Sequence, residues 1–451
     1  MPTTPPVTPA TAPEDPYAAV RTRKYAVLLL MAAVLGVPVS AVAFGFLALV
    51  SELQSLTYTE LPKALGFEAT PSWWPVPLLG VAGLLVGLVV RRLPGGGGHR
   101  PAEGLVSTGA PPAADLPGIV LAALVSLGVG AVLGPEAPLI ALGGGLAVWA
   151  AGRIKRDLAP DARALVGASG SFAAVSALLG SPLLGAFLLM EVAGLAGPML
   201  GVVLVPGLLS AGIGALIFTG LGSWTGLGTY SLTLGEVPSA TSPDAAGFGW
   251  ALVLGVAAAF AGAGIRRLSL ALQERVARRT VVGTAVMGLV VGALALVYAE
   301  TSGKDGSQVL YSGEHELGHF LSASAEYSVG ALVLLIVCKS LAYCASLSCF
   351  RGGPVFPAMF VGAVGGVALS HLPGLHLTAG FAMGIGAMCV AMLRLPMTSV
   401  LLATLLLGKE GLTVMPLVIV AVVVAYVVTV RLTPAPADRD GARTGPPRSL
   451  P

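Results

Sequence analysis

The sequence predicts an all-α polytopic membrane protein made of two inverted-topology repeats of tilted and broken helices. Three observations carry this. Of 451 residues 55% are hydrophobic and 10% charged, whereas soluble domains run near about 25% charged. Apolar runs recur along the chain, at Tyr25–Val50, Val76–Val90, Ile119–Val132, Met199–Thr219, Phe248–Ile265, Val281–Val297, Val329–Ala345 and Met415–Val430, as membrane spans require. Finally, short apolar segments opened by Pro and Gly stand at matching places in the two halves.

The composition excludes a soluble enzyme and a nucleic-acid binder, and no cofactor is expected. Mean hydropathy is +0.88. The 61 Gly and 34 Pro would suggest disorder in a polar chain; inside apolar segments they suggest close helix packing and interrupted helices. Cys338, Cys344, Cys349 and Cys389 lie in apolar stretches without metal-type spacing and read as reduced packing residues. The first apolar run is too long for a signal peptide and lacks a small-residue cleavage site, so it reads as a retained span.

Charge gives the topology. Basic residues cluster at Arg21, Arg23 and Lys24, at Arg91, Arg92 and Arg100, at Arg153, Lys155, Arg156 and Arg163, and at Arg266, Arg267, Arg275, Arg278 and Arg279. Acidic residues dominate around Glu52, Glu60 and Glu68, around Glu236 and Asp244, and from Glu300 through Glu326. The positive-inside rule makes the basic connections cytoplasmic and the acidic ones external. An inner-membrane protein with both termini cytoplasmic is expected. Residues 1–20 and 433–451 read as disordered ends, flanking a transmembrane region over 21–432. No soluble regulatory domain is expected after the last span.

Pro117–Val132, Pro138–Ala151, Ser181–Val192 and Pro396–Gly408 are too short or too broken to span alone. Gly134-Pro135-Glu136-Ala137-Pro138 opens one helix, and Ser181-Pro182-Leu183-Leu184 opens another farther on. Arg351-Gly352-Gly353-Pro354-Val355-Phe356-Pro357 and Leu395-Pro396-Met397-Thr398-Ser399 repeat that spacing. The first repeat is expected over about 73–220 and the second over about 246–432, with a site near the midplane.

A helix that starts at the midplane leaves backbone N–H groups that water cannot reach. A small anion is their natural occupant. Ser107-Thr108-Gly109-Ala110-Pro111 has the same character, and three such starts converging would hold an anion without a full positive charge, loosely enough to release it. Glu136 stands out. Its carboxylate could complement a helix dipole only, but an ionisable side chain at membrane depth is costly and points to function. It would be drawn to the same N–H groups as a permeant anion, plug the site, and leave when protonated.

These motifs resemble those of the CLC chloride channel and transporter family. Gly134-Pro135-Glu136-Ala137-Pro138 is similar to its Gly-Lys/Arg-Glu-Gly-Pro, Gly353-Pro354-Val355-Phe356-Pro357 to its Gly-x-Phe-x-Pro, and Ser107-Thr108-Gly109-Ala110-Pro111 to its Gly-Ser-Gly-Ile-Pro. Order and spacing match, and the similarity extends over roughly Tyr25 to Leu432. The resemblance implies a CLC-like fold, a homodimer with one anion pathway per subunit, Glu136 as the gate, Thr108 as a side-chain ligand, and the Val355 and Phe356 N–H groups as backbone ligands. Gly109 and Ala137 join them as anion-binding positions. Chloride or a similar small anion is the implied cargo, and a lipid bilayer the setting.

Departures from the pattern carry expectations of their own. Thr108 keeps a hydroxyl donor where the family has Ser, and it stands where the fluoride-selective branch carries Met. Pro135 replaces a basic residue and removes a donor, which predicts weaker external anion binding. The family's last helix, with a tyrosine that closes the central site, is not evident; Tyr426 lies inside the preceding span and is not assigned that role. In the family's exchangers a second glutamate near the end of the Pro182–Val192 helix loads protons. Val192 falls at that place, with Glu191 one position earlier and about 100° away around the helix. Passive, channel-like anion movement is therefore expected, with proton-coupled antiport as the alternative and Glu191 the proton loader if the alignment slips by one.

His315-Glu316-Leu317-Gly318-His319 matches a zinc-protease signature. Gly318 weakens the helix, no third ligand is evident, and the motif falls in a polar connection, so it reads as a chance match and no metal is expected. A transporter of organic solutes is a further alternative, which a large aromatic pocket would favour.

Overall fold

A computed structural model describes residues 20–105, 109–155, 157–194 and 198–433. Of the segments expected to be disordered, 1–20 and 433–451, residues 1–19 and 434–451 lie outside the described residues, as do Ser107 and Thr108. The regular secondary structure of the described residues is all helical, with one isolated β-bridge. In chain order come α1 (Arg23–Ser55), a π-helical stretch (Leu56–Glu60), α2 (Leu61–Ala64), α3 (Pro75–Arg92), α4 (Leu116–Gly128), α5 (Glu136–Ile154), α6 (Pro160–Val175), α7 (Pro182–Val192) and α8 (Pro198–Thr225). Then follow α9 (Ala245–Ala277), α10 (Thr280–Ser302), α11 (Leu317–Ser322), α12 (Val329–Cys349), α13 (Val355–Leu369), α14 (Leu377–Leu393), α15 (Pro396–Leu406) and α16 (Gly408–Leu432). Among the described residues eight helices are long and apolar enough to cross a bilayer. The chain is a multi-pass integral membrane protein.

Two boundaries differ from the sequence reading. The run Ile119–Val132 ends as a helix at Gly128, because Gly130 takes φ +97° and turns the chain. The segment expected over Pro138–Ala151 is α5, with 19 residues long enough to span. Pro138 does not delay its start, since a proline in the first turn forfeits no internal hydrogen bond.

The same packing pattern occurs twice. α5 packs on α6 as α13 packs on α14, α6 on α8 as α14 on α16, α1 on α8 as α9 on α16, and α3 on α4 as α10 on α12. Glycines set the closest approaches in both sets. A Cβ on Gly143 or Gly170 would strike the carbonyl of the other across α5 and α6, and Gly362 with Gly384, and Gly366 with Gly380, do the same across α13 and α14. In an apolar solvent such backbone approach supplies the dispersion contacts that hydrophobic burial cannot. The α13–α14 pair is the centre of the molecule: every residue from Thr378 to Leu393 is buried.

Candidate functional site

The chain segments entering α5 and α13 meet head to head. Gly134 N–H donates to the Gly353 carbonyl at 2.8 Å, and Gly353 N–H returns the bond to the Gly134 carbonyl at 2.5 Å. Neighbouring hydroxyls hold this junction. Tyr343 of α12 donates to the Pro354 carbonyl at 2.7 Å. Ser346 Oγ accepts the Val132 N–H at 3.0 Å, and Ser126 Oγ the Arg351 N–H at 3.1 Å. Arg351 donates to the carbonyls of Cys349, Phe350 and Gly96. Both glycines are needed as such, because a Cβ at either position would overlap the Glu136 carboxylate.

Glu136, the first residue of α5, is fully buried. Its Oε1 accepts the N–H of Val355, first residue of α13, at 2.5 Å. Its Oε2 has no hydrogen-bond partner among the described residues. A carboxyl oxygen therefore rests on the start of a helix, where unpaired N–H groups and the helix dipole favour an anion. The residues on either side of it line separate cavities. Ala137 lines one of about 990 Å³, with Gly109, Ile140, Val192, His99 and Lys24. Pro135 lines one of about 40 Å³, with Leu133, Tyr230, Tyr311, Ser312 and Glu314. Glu136 touches neither.

Of the residues singled out from sequence, the fold brings together Gly134, Pro135, Glu136, Gly353, Pro354 and Val355. Phe356 is buried one residue into α13, and Pro138 and Pro357 lie in the first turns of α5 and α13. Thr108, expected to supply a hydroxyl, falls outside the described residues. The third helix start is not seen at Gly109–Asp115, which runs irregularly to Pro112 and then makes a hydrogen-bonded turn, with Asp115 N–H donating to the Pro112 carbonyl at 3.0 Å; α4 begins only at Leu116. The consecutive Pro111 and Pro112 explain this, since each lacks a donor and disfavours helical backbone before it.

At the end of α7 the two candidate positions separate. Val192 lines the larger cavity. Glu191 turns to α15, accepting the N–H groups of Met397 at 3.0 Å and Thr398 at 2.8 Å and the Thr398 hydroxyl at 2.6 Å. It caps that helix, whose Pro396 start supplies no cap of its own.

The zinc-like motif is broken in two. His315 sits in a 3₁₀ turn (Glu314–Glu316) and His319 in α11, both exposed. No three His, Cys, Asp or Glu side chains gather around a metal position among the described residues. Among the described residues the larger cavity has only Tyr25 and Phe172 as benzene-type rings in its lining, which gives little to the organic-solute alternative. Sequence reasoning missed Tyr343, Lys339 and Glu314, whose roles depend on contacts with distant parts of the chain. Lys339, buried in α12, donates to the carbonyls of Gln308, Leu310 and Tyr311.

A family model described as voltage gated chloride channel matches residues 81–430. The chain belongs to the CLC family. As a CLC protein it carries anions across the membrane. It is 28% identical over 358 residues to the candidate ion-transport protein YfeO of Escherichia coli (strain SMS-3-5 / SECEC), covering 78% of this chain and 81% of that one. The Escherichia fergusonii YfeO matches to the same extent. Its fold is that of solved CLC structures. A slow cyanobacterial Cl−/H+ antiporter superposes with a TM-score of 0.72 at 20% identity, covering 90% of this chain and 94% of that one. A CLC-type fluoride/proton antiporter gives 0.68 at 20% identity, with coverages of 90% and 95%.

Proposed function

We propose that this CLC protein exchanges chloride or a similar small anion for protons, with the Glu136 carboxyl as both gate and proton carrier. The observation that carries the reading is the Glu136 carboxylate on the Val355 N–H, between neighbours that face separate cavities. Ionised, it occupies the seat an anion would take. When Oε2 accepts a proton the carboxyl becomes a weaker acceptor, releases the Val355 N–H, and an anion can bind there. Return of the carboxylate expels the anion and requires the proton to leave. One group thus holds a proton or yields to an anion, which is the elementary requirement of antiport. That the solved neighbours are antiporters favours this reading over passive conduction.

The passive reading keeps one observation in its favour. Val192 puts an apolar side chain in the larger cavity, while Glu191 is spent on capping α15, so no carboxyl from the end of α7 delivers protons from that side. Proteoliposomes under an outward chloride gradient decide between the two. Antiport takes up protons against their gradient, and a reversal potential that ignores pH would leave only the passive channel. The larger cavity belongs to the cytoplasmic side in this reading, and the smaller one to the outside, following the basic and acidic connections. The division into repeats and the homodimer are part of the proposal. The doubled packing pattern supports the first, and α1 pairing as α9 does moves the start of the first repeat back to α1. Mass measurement in detergent tests the second.

A further inference from the structure

We propose that Glu314 is a second carboxyl of the gate, an outer station that exchanges protons between bulk water and Glu136. This rests on the reading of Glu136 as gate and adds a residue that no motif marks. Glu314 lies 178 residues from Glu136 in sequence, yet its side chain, 16% exposed, lines the small cavity together with Pro135. At about 40 Å³ that cavity is roomy enough for water and bears polar partners in Ser312, Tyr311 and Gln54. A proton leaving the Glu314 carboxyl can pass through such water as far as the Pro135 wall, one residue from Glu136, and a small movement of the Glu136 side chain would bring its Oε2, which has no hydrogen-bond partner among the described residues, to that wall. Glu314 then reloads from outside.

The placement is built rather than incidental. Three carbonyls just ahead of Glu314 accept from the buried Lys339 ammonium. Tyr311 N–H donates to the Gly130 carbonyl at 3.1 Å, and the Tyr311 ring meets Tyr58 edge-on. Gly313, at φ +83°, lets the backbone lie against Phe360 of α13, where a Cβ would come within 2.5 Å of the ring. The groups facing Glu314 are Glu136, the His315 imidazole with Nε2 3.5 Å from Oε1, and the phenols of Tyr230 and Tyr311. Lys339 stands behind Tyr311, and Glu52 acts on Tyr230. Burial first, and then the Glu136 charge, push the Glu314 carboxyl up to about 8. A carboxyl so raised holds its proton at neutral pH and loses it as external pH rises through that value, as a station for protons should.

The test is the external-pH profile of anion flux in proteoliposomes, for wild type, Glu136→Gln and Glu314→Gln. Glu314 carries its charge only as external pH rises through about 8, so in Glu314→Gln the alkaline end of the profile, where that charge helps Glu136 keep its proton, should move to lower pH by about one unit. Glu314→Asp should restore part of the shift, and Glu136→Gln should show a flat profile that Glu314→Gln does not alter. Glu314→Ala replaces the Gln variant if that protein is not monodisperse. A Glu314→Gln or Glu314→Ala profile superposing on wild type, while Glu136→Gln is flat, overturns the role of Glu314 alone. A pH response undiminished in Glu136→Gln overturns the gate itself.

Discussion

At the scale of single residues, Glu136→Gln separates charge from shape. The amide keeps an acceptor for the Val355 N–H but can neither ionise nor carry a proton. Anion flux should persist, its dependence on external pH should flatten, and proton uptake against a gradient should vanish. Stability should change by less than about 1 kcal/mol, because removing a buried charge offsets the weaker hydrogen bond. Thermal unfolding in detergent beside the flux assay checks both halves. The position of Glu136 at a helix start was legible from the prolines and glycine around it, since helix N-termini have a local signature. Glu314 was not. It read as one more acidic residue of an external connection, and nothing local shows that Lys339, inside an apolar run, draws that connection back toward Pro135.

At the scale of helices, the end of α7 gives a matched pair of tests. Val192→Glu would place a carboxyl in the larger cavity and should speed proton uptake under a chloride gradient by roughly tenfold or more. Glu191→Ala should leave the number of protons moved per anion unchanged. Its cost is to α15, whose first N–H groups lose their acceptor, and about 1–2 kcal/mol of stability should go with it. The angle between adjacent helical positions was enough to expect these two residues to face different ways; which helix Glu191 would serve was not readable, because Met397 and Thr398 are more than 200 positions away. The glycine contacts give a second pair. Gly366→Ala drives a methyl into the Gly380 carbonyl, whereas Gly365, next to it, faces open space. Gly366→Ala should lower stability by about 1–3 kcal/mol and Gly365→Ala should be neutral or stabilising. Equal melting temperatures for the two would refute close α13–α14 packing. Close packing was legible from composition, but which glycine meets which backbone was not.

For the whole molecule, the class followed from hydropathy and the fold from three ordered motifs, because a membrane chain must satisfy its backbone in helices and has few ways to break them. The third motif shows the limit of such reading. Its sequence resembled a helix start, yet Pro111 and Pro112 leave Gly109–Asp115 without one. The reciprocal bonds between Gly134 and Gly353 bear on how fast and by what motion this protein works. Many transporters alternate access by rocking one half of the chain against the other about the site. Here the halves are clasped to each other at the site itself, so a rocking stroke would tear the clasp at every turnover. The moving part is left to be one side chain, which reorients in picoseconds to nanoseconds when free, and the pace of transport passes to the arrival of protons and anions. The amides of Gly134 and Gly353 should accordingly stay protected from hydrogen exchange during sustained turnover, to the same degree as in the resting protein.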